Sequence, residues 1–349
     1  MQSDRRRTLG FLTAALLWSG LGRAQPLANS PDGHETLIRL NLPGPGSLPF
    51  LPLELIPILG FDREIGVRLL LRYQPSGIRA MEDVLAGNAD FAALGFPTLP
   101  VIHARGKDVV AIAPLAGTQH SFSILVRKDL AKHITRMEDL KGRSIGISTG
   151  STASKSYLQM VAEILLAAYG MDGHQVRWLP TAQNWEGISG AFVSKAADAI
   201  FCEQPFSTRL MRAGLGQPLI DLRDPKIASR VAGLAALRSS IATTRALLDI
   251  QSDRQNKADL MVRMVQRVLA WVHSKSPEEV ARKAGGLSAQ ERQDIVTLLK
   301  KSPEFFSTDG RFVGTQIAAT DDFLRAVYTD LKLAPAASLI ESRWAGQRP

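Results

Sequence analysis

The sequence predicts an α/β fold of two similar lobes, each with a parallel βαβαβ core, joined by a hinge of crossing strands. The first observation is an internal repeat, because Asp90 and Asp198 each follow an alanine, open an apolar run and precede a proline by seven residues. The second is that a strand-like run, 36–42 or 144–148, lies at the same distance upstream of each aspartate. A repeat on this scale indicates duplicated supersecondary units.

The first lobe has the pattern strand, helix, strand, helix, strand. Alternating or continuous apolar runs predict the strands, and segments rich in Pro, Gly and Ser separate them from the helices. Strands that alternate with helices favour parallel pairing in one sheet. The predicted strands are 36–42, 67–73 and 89–94, and the predicted helices are 50–59 and 78–86.

The second lobe repeats this order of elements. Loops at 149–152 and 180–184 lead from strands into helices, as the corresponding loops of the first lobe do. The first of these helices is predicted to end near residue 169 and the second near residue 194. The predicted strands are 144–148, 175–179 and 197–202.

Apolar runs outside the two cores predict strands that cross between the lobes. Residues 109–115 and 122–126 lie between the two repeats, and residues 231–237 follow the second repeat. The chain is therefore expected to cross to the second lobe and to return, which places a hinge at the crossings.

The C-terminal third is predicted to be helical and to pack on the first lobe. Apolar residues recur at three- and four-residue steps over 260–272, and Ser288 with Glu291 forms a capping-box pattern. The expected organisation has four parts, with the hinge crossings at the ends of the second lobe. They are an export signal peptide at 1–24, the first part of lobe 1 at 35–118, lobe 2 at 119–228, and the return to lobe 1 with the C-terminal helices at 229–349.

The first 24 residues predict an export signal. Three arginines at 5–7 precede the mostly apolar stretch 9–21, and Ala24 ends a small-residue cleavage pattern. That stretch is shorter than the roughly 20 residues of a spanning helix, which disfavours a retained membrane anchor. The arginines resemble a twin-arginine signal, and the general secretion route stays open. The mature protein is therefore expected in the periplasm.

Charge and cysteine content exclude several classes of protein. The chain has 42 Lys and Arg against 33 Asp and Glu, but it has no long basic run and only 6% aromatic residues, so a nucleic-acid partner is not expected. Cys202 is the single cysteine, so the chain forms no internal disulfide, and it is expected to be a buried apolar residue rather than a nucleophile. The six histidines lack metal-ligand spacing, so neither a metal nor a cofactor is expected.

Loops after the predicted strands carry the candidate ligand-binding residues. Ligands gather at the carboxyl ends of parallel strands, where each loop leads into a helix whose first N–H groups have no internal partner. Such loops suit a carboxylate, sulfonate or phosphate, so a small anionic solute is expected. Asp90 and Asp198 are instead expected to accept backbone N–H bonds in turns. The candidates are Ser47, Ser76, Gly77, Thr98, His120, Ser151, Thr152, Gln183, Asn184, Trp185 and Glu203.

A rival interpretation is a hydrolase with Ser148 as its nucleophile. Residues 146–150 match the G-x-S-x-G nucleophile elbow and lie between a predicted strand and a predicted helix. The hydrolase fold needs one large sheet, with an acid and a histidine downstream, whereas this strand opens a copy of the first lobe. The pattern favours a binding loop over catalysis, and the protein is not expected to be an enzyme.

Several short motifs, taken in order, resemble the periplasmic substrate-binding proteins of ABC importers, in the nitrate, sulfonate and taurine group of the type II binding-protein fold. The resemblance covers residues 36–275 and rests on order and spacing more than on any one motif. The motifs are GFDREIGV at 60–67, AGNAD at 86–90, DLKGRSIG at 139–146, GS at 150–151, DA at 198–199 and EQP at 203–205.

The resemblance implies a monomer whose two lobes close over a small solute and then dock on a permease in the inner membrane. The proline-rich loop 43–49 and the pair 184–185 depart from the family pattern, which leaves the solute class open. A ligand-sensing subunit of a membrane receptor fits the same sequence. Enzymes of related fold depend on a cysteine nucleophile or a cysteine-rich motif, which the single cysteine here does not supply. The positions that the resemblance implies for the cleft are Ser47, Ser76, Thr98, Ser151 and Glu203.

Overall fold

The fold is built on two five-stranded sheets. The computed structural model describes residues 35–117, 121–148, 155–231, 233–249, 256–329 and 331–349. A further short pair of strands lies near the C-terminus. The strands are β1 (Thr36–Pro43), β2 (Val67–Gln74), β3 (Phe91–Gly95), β4 (Val109–Pro114), β5 (Phe122–Arg127), β6 (Ser144–Ser148), β7 (Arg177–Thr181), β8 (Ala199–Glu203), β9 (Gly216–Asp221), β10 (Ser239–Thr244), β11 (Phe312–Val313) and β12 (Gln347–Arg348).

Helices connect the strands and form the C-terminal third of the chain. The α-helices are α1 (Leu51–Leu59), α2 (Gly77–Leu85), α3 (Thr98–His103), α4 (Tyr157–Ala167), α5 (Trp185–Val193), α6 (Phe206–Arg212), α7 (Pro225–Ala228), α8 (Arg245–Asp249), α9 (Lys257–Ser274), α10 (Pro277–Lys283), α11 (Ala289–Lys301) and α12 (Gly314–Val327).

The two sheets share one topology. Their strand orders are β2-β1-β3-β10-β4 and β7-β6-β8-β5-β9. In the first sheet β1 pairs in parallel with β2 and β3, and in the second β6 pairs in parallel with β7 and β8. The predicted α/β fold with two parallel βαβαβ cores is therefore confirmed. We refer to the residues around the first sheet as lobe 1 and those around the second as lobe 2.

Each sheet also contains one strand that directly follows a crossing of the chain from the other lobe. After β4 the chain joins the second sheet as β5, which runs antiparallel to β8 and β9, and it returns as β10, antiparallel to β3 and β4. The prediction of a return strand at 231–237 is wrong, because the described residues there form turns and Gly233 has a φ of 76°. The return strand is Ser239–Thr244, whose centre is fully buried between two neighbours.

Capping side chains fix where several helices begin. The hydroxyl of Ser76 accepts the N–H of Arg79 at the start of α2, and Ser156 does the same for Gln159 at the start of α4. Such N-caps satisfy backbone donors that the helix itself leaves unpaired. The capping box predicted at Ser288 and Glu291 is confirmed at the start of α11.

The C-terminal helices complete the cores of both lobes. The predicted apolar stripe of α9 is buried in the lobe 1 core together with apolar residues of α10 and α11. Helix α12 contributes Ile317 to that core and Phe323 with Leu324 to the core of lobe 2. The last long helix therefore packs on both lobes.

Asp90 and Asp198 each join the first and third strands of their sheet. The carboxylate of Asp90 accepts the N–H of Arg39 at 2.7 Å, and that of Asp198 accepts the N–H of Ser144 at 3.0 Å. Asp90 also accepts hydrogen bonds from the side chains of Arg39 and of Lys257 in α9. The prediction that both aspartates accept backbone N–H bonds is confirmed, and the repeat has a structural cause.

Asp90→Asn is expected to lower the free energy of unfolding by about 2 kcal/mol, because two cations then lose a buried, charged acceptor. Burial alone would raise the pKa of Asp90, but hydrogen bonds from Arg39 and Lys257 outweigh it and hold the pKa below its usual value. The difference is therefore present above about pH 4 and shrinks as the pH falls below it. Urea unfolding at neutral and acidic pH measures it. Asp198→Asn, which has fewer partners, is the control, and equal losses in both variants contradict the argument.

Candidate ligand-binding site

Polar side chains from the two lobes meet where the strands of the two sheets end. Ser47, in the loop after β1, donates a hydrogen bond to Oε1 of Glu203 at 2.6 Å. Gln183, in the loop after β7, donates from Nε2 to Glu203 Oε1 at 2.8 Å and to Ser47 Oγ at 3.0 Å. All three residues are buried. Ser47 belongs to lobe 1 and the other two to lobe 2, so this cluster joins the lobes.

A buried ion pair completes the cluster. Arg238, just before β10, donates from Nη2 to Glu203 Oε2 at 3.2 Å, and the two side chains are only 1% and 2% exposed. The guanidinium also lies 4.9 Å from the ring centre of Phe122 and 5.0 Å from that of Phe305. Glu203 is thus held by lobe 1, lobe 2 and the return segment together.

The electrostatics of Glu203 follow from its burial. Complete burial raises the pKa of Glu203, while Arg238 and the hydrogen bonds from Ser47 and Gln183 oppose part of that rise. Removing a charge from water costs several kcal/mol, so such a carboxylate is stable only with close partners. These contacts stabilise the buried charge of Glu203.

Three predicted site residues of lobe 1 have structural roles. Thr98 donates its hydroxyl to the carbonyl of Gly95 at 2.8 Å, and Ser76 caps α2. Gly77 lies so close to β3 that a Cβ atom there would be 2.7 Å from Cβ of Leu94. Thr98 and Gly77 both line a small cavity between the lobes.

The remaining candidates divide into two groups. Asn184 caps α5 through the N–H of Gly187 at 2.8 Å, and the ring of Trp185 lies 3.9 Å from the guanidinium carbon of Arg209. Trp185 lines a large cavity, described below, rather than the buried cluster. The predictions at His120, Ser151 and Thr152 lie outside the described residues.

Ser148 ends β6 beside the cluster. Its hydroxyl points to Oε1 of Gln183 at 3.4 Å, and its carbonyl accepts the hydroxyl of Ser156. Within the described ranges, neither an imidazole nor a carboxylate forms a hydrogen bond to Ser148, so these contacts supply no general base for a nucleophile. Cys202, the last residue before Glu203, is buried, and burial raises the pKa of its thiol, which disfavours the reactive thiolate.

Arg238 is a functional candidate that the predicted set lacked. The signal for Arg238 is a single charge inside the small and apolar run 231–244, where it is the only charged residue. Its partner could not be deduced, because Glu203 is 35 positions away and reaches it only through the crossing of strands. Gln183, predicted together with Asn184 in the loop at 180–184, does belong to the cluster, because it donates to both Ser47 and Glu203.

Described residues of both lobes border two cavities. The smaller, of about 30 Å³, is bordered by Thr98, Ser148, Glu203 and Arg238 and is comparable with the space of one or two water molecules. The larger, of about 620 Å³, is bordered by Ser47, Trp185 and the turn between α10 and α11. The larger cavity has the size of a typical small-molecule site. We call it the lateral chamber.

Residues 58–224, from the end of α1 to the residue before α7, match the family model described as NMT1/THI5 like. The matched segment covers slightly less than half of the 349 residues. It contains all of the second sheet, with Gln183 and Glu203, while Ser47 and Arg238 lie outside it. Among curated protein sequences, none is significantly similar to this chain.

Solved structures are similar over most of the chain. A protein of Bordetella bronchiseptica RB50 has 23% identity and a TM-score of 0.75, covering 89% of this chain and 96% of that one. The alkanesulfonate-binding protein SsuA from Xanthomonas axonopodis pv. citri, bound to MOPS, has 15% identity and a TM-score of 0.68, covering 88% and 99%. A Candida albicans gene product described as having the generic periplasmic binding protein fold has 14% identity and a TM-score of 0.66, covering 90% and 98%.

The chain therefore has the periplasmic binding protein fold, and the fold implied by the resemblance of its sequence motifs is confirmed. In the part of the chain that the structure describes, no helix combines the length and apolar character needed to cross a bilayer. In the same residues, no three His, Cys, Asp or Glu side chains are grouped so that they could hold a metal ion.

Proposed function

We propose that this protein is an exported solute-binding protein, which captures a small solute between its lobes and delivers it to an ABC permease in the inner membrane. The observation that carries the proposal is the cluster of Ser47, Gln183 and Glu203, in which polar groups of both lobes meet at the strand ends. In open α/β sheets that is where ligands bind. Opposed lobes with crossing strands between them suit a hinge that closes on a solute.

The proposed location is the periplasm, after cleavage near Ala24 and with the twin-arginine route as one option. The proposal includes no catalysis, since the described contacts of Ser148 and Cys202 supply neither a general base nor a thiolate. A monomer is proposed as well. Mass spectrometry of the protein purified from cells that express the full chain tests the cleavage, which requires a chain that begins after residue 24.

Features of the cleft bear on the charge of the solute in opposite directions. An anion is supported by the N-termini of α2, α4 and α5, which lie at the loops between the lobes and carry partial positive charge. Against this, Arg238 in the cleft is already paired with Glu203. The test therefore has to include solutes of each charge.

A thermal-shift screen of the purified protein tests solute capture. The panel contains sulfonates, carboxylates, nitrate, amino acids, pyrimidines and amines. A true solute at 100 times its Kd is expected to add about 2.7 kcal/mol of stability, which gives a clear rise in Tm. The hydrolase interpretation replaces this proposal if nothing in the panel raises the Tm and the protein hydrolyses model esters in a way that is lost in Ser148→Ala.

Uptake measurements separate import from sensing. Cells that lack the protein are expected to lose high-affinity uptake of the solute found in the screen. A ligand-sensing subunit of a membrane receptor would instead leave uptake unchanged and alter the response of the receptor.

A further inference from the structure

The lateral chamber lies beside the buried cluster and is walled by both lobes. Lobe 1 contributes the loop after β1, helix α1, Tyr73 at the end of β2, and the turn between α10 and α11. Lobe 2 contributes Trp185, Phe206 and Arg209. Ser47 borders the chamber and also bonds to Glu203, so a solute in the chamber would touch the contact between the lobes.

The charges that face the chamber are mostly negative. Its described walls carry the carboxylates of Glu54, Glu186 and Glu291 and a single basic side chain, Arg209. Nη1 of Arg209 lies 2.9 Å from Oε1 of Glu291, so that pair is neutralised. In the described ranges, no basic side chain lies within 4.0 Å of the carboxylate oxygens of Glu54 or Glu186. The chamber thus has two carboxylates without a cation.

Glu54 is the more unusual of these carboxylates. It lies in the first turn of α1, and its Oε1 is buried and has no hydrogen-bond partner among the described residues. Burial raises the pKa of the Glu54 carboxyl, and hydrogen bonds from the Tyr73 hydroxyl and the Gly46 N–H oppose part of that rise. A buried acceptor without a partner is costly, and a donor on a solute would remove that cost.

The other walls suit an apolar body and a delocalised cation. Leu51, Ile295 and Phe206 are buried apolar residues at the chamber, and Tyr73 adds an aromatic ring that is exposed. The ring of Trp185 already has the guanidinium of Arg209 over it at 3.9 Å. Aromatic faces attract cations in this position, most strongly when water is excluded.

From these contacts we infer that the lateral chamber binds an organic cation, a solute with a protonated amino or amidinium group on an apolar or aromatic body, and that Glu54 accepts its N–H group. The inference rests on the proposed function and names its solute class. The net charge of the chamber opposes an anion there, which departs from the solute expected from the sequence.

Matched pairs of probes test the charge of the solute. Benzylamine is compared with benzyl alcohol, benzamidine with benzamide, and benzenesulfonate serves as the anion of similar size. In wild-type protein, isothermal titration calorimetry is expected to show binding of the two cations that is at least about tenfold tighter than binding of their neutral partners. Benzenesulfonate is expected to bind more weakly than either cation.

Glu54→Gln tests the position of the amino group. The variant keeps the shape of the side chain and removes its charge, so it is expected to fold and to lose about tenfold or more in affinity for benzylamine. Glu82→Gln, which removes a carboxylate paired with Arg79 on the surface of lobe 1, is the control and is expected to bind like wild type.

The outcomes separate this inference from the proposed function. If sulfonates or carboxylates bind and the amines do not, solute capture stands and the organic cation is wrong. If the amines bind equally well to wild type and Glu54→Gln, the assignment of Glu54 and its chamber is wrong. If no probe binds, this inference fails, and the proposed function then depends on the wider screen.

Discussion

Arg238→Met is expected to lower the free energy of unfolding by about 3–5 kcal/mol, because it leaves the carboxylate of Glu203 buried without its cation. The side chains of the pair are almost completely buried, so water cannot replace the lost partner without opening the contact between the lobes. The aromatic rings of Phe122 and Phe305 also lose the guanidinium that lies beside them. Urea unfolding of wild type and variant measures the difference.

Two further variants test whether the loss comes from the uncompensated charge. Combining Arg238→Met with Glu203→Met removes both charges, and the double variant is expected to be more stable than Arg238→Met alone. Arg79→Met breaks an exposed pair with Glu82 and is expected to cost less than about 1 kcal/mol. If the losses of the two buried single variants simply add in the double variant, Arg238 and Glu203 are not coupled as argued.

The parallel cores were predictable because their signals are local. The strands of lobe 1 alternate with loops of Pro, Gly and Ser, and the structure has β1, β2 and β3 within a few residues of their predicted bounds. The capping box at Ser288 was equally local, since both partners lie in one turn. The aspartates Asp90 and Asp198 repeat because each closes the same contact between two strands.

The sequence does not predict those features that depend on contacts between distant segments. The apolar run 231–237 predicts a return strand there, yet the burial that selects Ser239–Thr244 comes from β3 and β4 on either side. The burial of Arg238 is likewise explained by its ion pair with Glu203, which is distant in the sequence. The lateral chamber is formed by five separated segments, so neither its volume nor the unpartnered Oε1 of Glu54 could be deduced from the sequence.

Gly95→Ala is expected to prevent the close approach of the two lobes and to lower solute affinity by about tenfold or more, through a smaller population of the closed form. Gly95 ends β3 in lobe 1, and a Cβ atom there would lie 2.3 Å from Cβ of Tyr157, the first residue of α4 in lobe 2. Tyr157 cannot move aside easily, because it is buried and packs on Phe122 and Phe323. The backbone of Gly95 lies outside the left-handed region, so alanine itself is not strained there.

The substitution therefore acts on the contact between lobes rather than on either core. Small-angle scattering should show a larger radius of gyration for Gly95→Ala, and calorimetry should show weaker binding of the solute found by the screen. Gly190→Ala is the matched control, because a Cβ atom on that glycine of α5 meets nothing within 4 Å. In a helix that change is expected to add up to about 1 kcal/mol of stability and to leave scattering and affinity unchanged. A Gly95→Ala protein that scatters and binds like wild type would mean that capture does not require this contact between Gly95 and Tyr157.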